Sequence, residues 1–358
     1  MRGVRAVAVG VAVGLLLTPV SVHAFPGPTF AGMNGKIAFS DSDGIYTIDA
    51  DGTDKTRLTR GNRFSAVWAP DGSMIAFVRS STNLGGAVFV MNAGGTGKRR
   101  LTRNQKWIDY VIWSPNGTSL LYLRSRSTAS GGDEAIIKKV RLDGTGDRRL
   151  TDWGSRAYSP AVSPNGRKIA FESNVDGDYE IYVMRSDGSH KTQLTSNTRF
   201  DGTADWARDG SRIAFVEAIP KGGGHAGDKG SQIIVMNADG TGATALTDGS
   251  RFDLQPSWSP DDSKILFSST FLEGNTSVAD IFVISPDGTG ETRITNTPDP
   301  ETGPIWSPDG AKIGYNVEKS GDPKTYIHLV DAGGTNPAEV PGTGRFGNYF
   351  SWQALPGT

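Results

Sequence analysis

An all-β fold, a β-propeller of seven four-stranded blades, is what this sequence predicts, and three observations carry the prediction. A short phrase recurs along the chain: an aromatic or apolar anchor, then Ser-Pro-Asp-Gly or a near copy, then an apolar triplet such as Ile75-Ala-Phe77. The copies are Trp68-Ala-Pro-Asp-Gly72, Trp113-Ser-Pro-Asn-Gly117, Val162-Ser-Pro-Asn-Gly166, Trp206-Ala-Arg-Asp-Gly210, Trp258-Ser-Pro-Asp-Asp262 and Trp306-Ser-Pro-Asp-Gly310, closing with Ser351-Trp352. Successive anchors stand 44 to 52 residues apart, and one Trp plus one tight turn at that period marks a propeller blade. Finally, the first unit lacks an anchor strand while an unpaired one, Asn348–Trp352, lies at the far end. Pairing the two would close the ring and remove both exposed edges. A count of six would follow if one terminal unit stayed outside the ring.

Each unit reads as four short strands. In the fourth blade they are Tyr158–Val162, Lys168–Ser173, Tyr179–Met184 and Thr192–Thr195, with Asn165-Gly166 and Asp187-Gly188 supplying the tight turns. The second strands of blades two to seven begin near Met74, Ser119, Lys168, Arg212, Lys264 and Lys312, and blade one contributes Lys36–Ser40, Ile45–Asp49 and Thr56–Thr59. Ile181-Tyr-Val-Met184 and Ile234-Val-Met236 are apolar on both faces, as strands between two neighbouring blades should be. The repeated Trp reads as inter-blade core: about 150–250 Å² per indole, at about 25 cal/mol per Å², is several kcal/mol each. Val162 breaks this pattern and predicts a smaller or differently packed junction.

The repeat consumes nearly all of the 358 residues, so residues 25–358 are expected to be a single domain. Ahead of it, Arg2 and Arg5, the apolar stretch Ala6–Leu17 and Val22-His-Ala24 have the order of an export signal over residues 1–24. That apolar run is short of the about 20 residues a bilayer span needs, so no membrane span is expected after cleavage and the chain is expected in a periplasm or secreted. With 37 basic and 38 acidic residues there is no global pull toward nucleic acid. No Cys is present, which excludes disulfides, thiolate sites and a lipid-anchored Cys, and only four His occur.

A four-stranded meander sends alternate loops to opposite rims. One rim has uniformly short turns; the other collects the second-to-third and inter-blade connections, of which Ser125–Glu134, Ala218–Gly230 and Thr270–Val278 are the longest. Variable connections on a rigid scaffold are where binding resides, so any site is expected on that rim. Seven residues before the anchor stand Lys106, Arg199, Arg251 and Arg345, a basic set for an anionic ligand or an acidic protein partner. The competing reading pairs each Arg with an acid such as Asp201 or Asp253. His225, in a Gly-rich loop, is a further candidate ligand or base. Asp49-Ala-Asp51-Gly-Thr-Asp54 has the alternating acids of a calcium loop, but the twelfth position is Arg60, not Glu, so a hairpin turn is expected. No nucleophile elbow or His-Glu-x-x-His occurs, and no cofactor or metal is expected.

Tyr179-Glu-Ile-Tyr-Val-Met184, Ser186-Asp-Gly188 followed by Gln193-Leu-Thr195, and Trp306-Ser-Pro-Asp-Gly310 resemble the propeller repeats of the TolB family, over roughly residues 34–352. The resemblance implies an exported, periplasmic, non-enzymatic protein that binds envelope partners through its propeller. The family carries a separate N-terminal domain and a six-bladed ring, whereas here about ten residues separate the expected cleavage site from the first blade and seven repeats are counted. The expectation is therefore a monomeric, exported, non-catalytic protein-binding module. The alternative is a propeller lyase or hydrolase acting on an extracellular polysaccharide.

Overall fold

The computed structural model describes residues 30–61, 63–81, 85–105, 107–127, 133–220, 228–274, 276–344 and 350–356. Residues 1–24 lie outside them, as do the candidate site residues Lys106, His225 and Arg345.

Among the described residues, twenty-eight strands form five four-stranded sheets and one of eight. The eight-stranded sheet is two ordinary meanders, one from Asp201–Trp206 to Thr244–Ala245 and one from Phe252–Trp258 to Thr292–Arg293, joined by a single parallel bridge between Ser231 and Phe252. The expected closure is present: Phe350–Leu355 runs antiparallel to Met33–Asp41, with Trp352 opposite Ile37 and Phe350 opposite Phe39. The fourth unit falls at Tyr158–Val162, Lys168–Ser173, Glu180–Arg185 and Thr192–Gln193, within two residues of the sequence reading. One reading needs correction. The three long connections on the variable rim are mostly hairpin arms, since Ser119–Ser127 pairs with Asp133–Arg141, Arg212–Pro220 with Asp228–Asn237, and Ile265–Glu273 with Thr276–Ile284. Gly, Asp, Asn and Lys are poor strand formers and crowd these segments, so the extensions read as loop.

Burial follows the blade logic. Each apolar cluster straddles two successive units. Ala38 and Ile45 pack with Trp68 and Phe77, Val88 and Val90 with Trp113 and Tyr122, and Ala170 and Ile181 with Trp206 and Phe215. The circle completes where Ile305, Ile327 and Leu329 meet Ile37, Phe39, Phe350 and Trp352. The indoles are also struts: Trp113, Trp206 and Trp306 Nε1 donate to the carbonyls of Val67, Ala161 and Ser257 in the preceding unit at 3.0–3.1 Å. At the Val162 junction the packing is different rather than smaller, because Tyr110, Tyr158, Phe171 and Tyr182 fill it. Trp206→Ala is accordingly expected to cost about 3–5 kcal/mol and Val162→Ala about 1–3 kcal/mol, read from urea midpoints. Equal losses would mean that the indole is not the strut.

The innermost strands share a bulge three residues before the anchor. Ser65, Ser159, Thr203 and Gln255 hold φ of 46–58° there, with Gly303 at 59° in the seventh unit, and the pairing register slips at the same point. The bulge lets side chains of one innermost strand reach backbone of the next. Val111 N donates to Ser65 Oγ (3.1 Å), Trp258 N to Asp205 Oδ2 (2.9 Å) and Trp68 N to Ser351 Oγ (3.3 Å). Among the described residues no helix is long and apolar enough to cross a membrane.

Candidate functional site on the variable rim

Two of the five sequence-predicted site residues can be placed, and both are engaged inside their own units. Arg199 Nη1 meets Glu217 Oε1 at 2.5 Å, and that oxygen also accepts from Gln232 Nε2. Arg251 Nη2 meets Glu291 at 2.8 Å, its Nε stands 3.7 Å from Asp253, and its guanidinium lies 4.6 Å from the centre of the Phe282 ring. The pairing expected for Arg251 with Asp253 is thus present, while Arg199 takes Glu217 rather than Asp201. The calcium-like run resolves as a turn: Asp51 accepts from Thr53 N and Oγ, and Asp49 and Asp54 both bind Lys36.

Five residues before the anchor, at the rim end of the innermost strand, stand Asp201, Asp253 and Glu301, all wholly buried at unit junctions. The Glu180 carboxyl of the preceding unit, which accepts from Thr195 Oγ1 and Asn197 N, stands near Asp201, and Asp280, paired with Arg293 at 2.6 Å, stands near Glu301. Neighbouring carboxyls disfavour each other's ionisation, which adds to the effect of burial on Asp201 and Glu301. Burial pushes Asp201 up to about 8, helped by Glu180, and pushes Glu301 up to about 7 with help from Asp280. Glu172, buried beneath Thr203, rises to about 7 from desolvation, with the Thr203 N–H and Ser159 hydroxyl opposing. Groups with such values suit general acids, yet these are sealed between blades with no face to solvent. Their role in the described geometry is internal. Among the described residues no three His, Asp or Glu side chains gather to hold a metal; His190 is exposed and His328 lies against Tyr315.

The rim also carries a surface that the basic-ring reading missed. Trp107 is 61% exposed, in the connection leading into the third unit, and sits at φ 56°. A bulky residue with left-handed backbone is strained, and such strain persists only where neighbours impose it. Here the Trp107 carbonyl accepts Ser125 N at 2.8 Å. On either side of Ser125, Arg124 and Arg126 place their guanidinium carbons 5.3 and 4.2 Å from the ring centre of Trp153, in the connection leaving the same unit. Glu134 fixes Arg126 at 2.6 Å. Two aromatic residues and two guanidinium groups therefore frame one hairpin end. A sequence signal existed: of eight Trp, Trp107 and Trp153 alone fall outside the anchor positions.

Comparison with known proteins agrees with this architecture. The TolB beta propeller domain model matches residues 27–167. Over that stretch the repeats match the TolB β-propeller family. The Tol-Pal system protein TolB of Anaeromyxobacter dehalogenans is 34% identical over 118 residues, which are 33% of this chain and 25% of that protein. The chain spans about half or less of the curated relatives it matches. Among solved structures, a TolB of Agrobacterium tumefaciens described as putative aligns with TM-score 0.54 at 22% identity, over 68% of this chain and 83% of that one. An oligogalacturonate lyase in complex with manganese aligns with TM-score 0.63 at 14% identity, over 87% and 86%. The propeller fold is thus shared with TolB proteins and with a lyase, and chemistry must be argued from the rim itself.

Proposed function

We propose that this TolB-like chain is an exported seven-bladed propeller, counting the eight-stranded sheet as two blades, that binds a protein partner without catalysis. The third unit's rim, with Trp107, Trp153, Arg124 and Arg126, is the contact surface. The observation that carries the reading is Trp107: a large apolar side chain held in water by a strained backbone. Trp and Arg are the residue types that dominate interface energetics, and cations beside them suit a partner bearing carboxylates. The sealed state of the acids with raised pKa also favours binding over acid–base chemistry.

Immobilised chain starting at Phe25 would be used to capture partners from envelope and culture fractions, beside Trp107→Ala. The expected result is one protein retained by the wild type, at least tenfold weaker binding by the variant, and the same unfolding midpoint for both. Equal retention would overturn the rim assignment. Release of unsaturated products from oligogalacturonate by the purified chain would replace it with the polysaccharide-lyase reading.

A further inference from the structure

The crevice between the first and second units shares no residue with this rim patch, and it has its own chemistry. It encloses about 610 Å³, a volume typical of small-molecule sites. Arg57, Arg60, Arg79 and Lys98 line it, and Phe77 and Phe89 form part of its wall. The two rings stack at 5.5 Å with planes 18° apart; Phe77 is buried, so the partly exposed Phe89 ring is the apolar face offered to the cavity.

Charge is the first argument. Arg57 has a carboxylate, Asp43 at 3.0 Å, and the Lys98 ammonium donates to the Gly95 carbonyl. Among the described residues no acid pairs with Arg60 or Arg79. Four cations against one carboxylate, in a chain whose net charge is −1, is a strong local excess. Arg99, Arg100 and Arg103 follow on the exposed surface and extend the positive field that an anion would meet on approach. Guanidinium forks match phosphate, sulfate and carboxylate oxygens in pairs.

The second argument is the aromatic wall. Stacked pairs between second and third strands recur around the ring, and two of them lie under a cation. Lys55 Nζ stands 4.7 Å from the Tyr46 ring that stacks on Phe39, and Arg251 covers Phe282, which stacks on Phe267. No described cation stands over Phe77 or Phe89, and Phe89, partly exposed and backed by the buried Phe77, borders the cavity instead.

We propose that this crevice binds a small organic polyanion: a flat ring system bearing two or more anionic groups, the ring against Phe89, which the buried Phe77 backs, and the anions on Arg60 and Arg79. Titration calorimetry at low salt would compare ADP, which has both parts, with pyrophosphate and adenosine, which have one each. ADP is expected to bind about tenfold tighter than pyrophosphate, with adenosine undetectable, and affinity should fall steeply with added salt. The double variant Arg60→Glu/Arg79→Glu should weaken ADP about a hundredfold, while Arg185→Glu, exposed in the fourth unit, should change it little. Both substituted positions are exposed, and unchanged circular dichroism would confirm the fold. Failure of ADP and pyrophosphate to bind the wild type, or equal binding by the double variant, would overturn the proposal. Loss of rim binding in Trp107→Ala would leave this result untouched, because the two sites share no residue.

Discussion

Removal of the last strand, Phe350–Leu355, is expected to abolish cooperative unfolding altogether. That strand covers the inner edge of Met33–Asp41 and puts Phe350 and Trp352 into the cluster shared with Ile305 and Ile327 of the seventh unit. Its polar side chains reach the second unit as well. Ser351 Oγ accepts Trp68 N and donates to the Ala66 carbonyl, and Gln353 Nε2 donates to the Gly72 carbonyl at 2.8 Å. Three units therefore meet on six residues. Two buried aromatic side chains remove about 300–500 Å² from water, so burial alone contributes on the order of 10 kcal/mol. Whole domains are stable by about 5–15 kcal/mol, so the loss is comparable to everything the fold has. A chain ending at residue 349 should show a broad, weak urea transition and bind hydrophobic dye. A sharp transition at the wild-type midpoint would mean that the ring does not depend on this closure.

This closure was legible because its signals are local. Ser351-Trp352 carries the anchor of a strand that the first unit lacks, and a Trp with an adjacent turn is visible within ten residues. Second strands begin at the expected Met74, Ser119, Lys168, Arg212 and Lys312, with only the sixth displaced, from Lys264 to Ile265. The rim was less legible for a physical reason. Whether Arg199 or Arg251 is free depends on Glu217 and Glu291, 18 and 40 residues further along, and sequence spacing does not report that meeting. Burial of Asp201, Asp253 and Glu301 is likewise a product of blade stacking. An Asp at the start of a strand reads as solvent-facing until the neighbouring unit covers it. Trp107 is the opposite case. Its departure from the anchor register was visible, but exposure belongs to the fold.

The stacking of those acids makes a second large effect follow: the protein should lose stability as pH rises from about 5 to about 8. Asp201 is raised to about 8, Glu301 and Glu172 to about 7, and burial also raises Asp253, Asp280 and Asp205. Unfolded, these carboxyls ionise near their ordinary values of 3.8 and 4.5. Between the two values the native chain holds protons that the unfolded chain releases, so raising the pH favours unfolding. The contribution is fully present below the unfolded values and is lost as pH climbs through the folded ones. Each such group changes stability by about 1.4 kcal/mol per pH unit inside its window, so a few groups acting together outweigh most single substitutions. Exposed turn acids such as Asp51 and Asp239, lowered by hydrogen bonds from Thr53 and Thr241, act with the opposite sign, only in more acidic solution. Urea midpoints measured from pH 4.5 to 8.5 should fall steadily, and Asp201→Asn should flatten the profile and raise the midpoint at pH 8. A midpoint that rises toward pH 8 would place charged carboxylates, not protonated ones, at the blade junctions. Acidification raises the stability of the whole fold, the unit that carries Trp107 included. Partner capture measured at pH 5.5 should therefore survive urea concentrations that abolish it at pH 8.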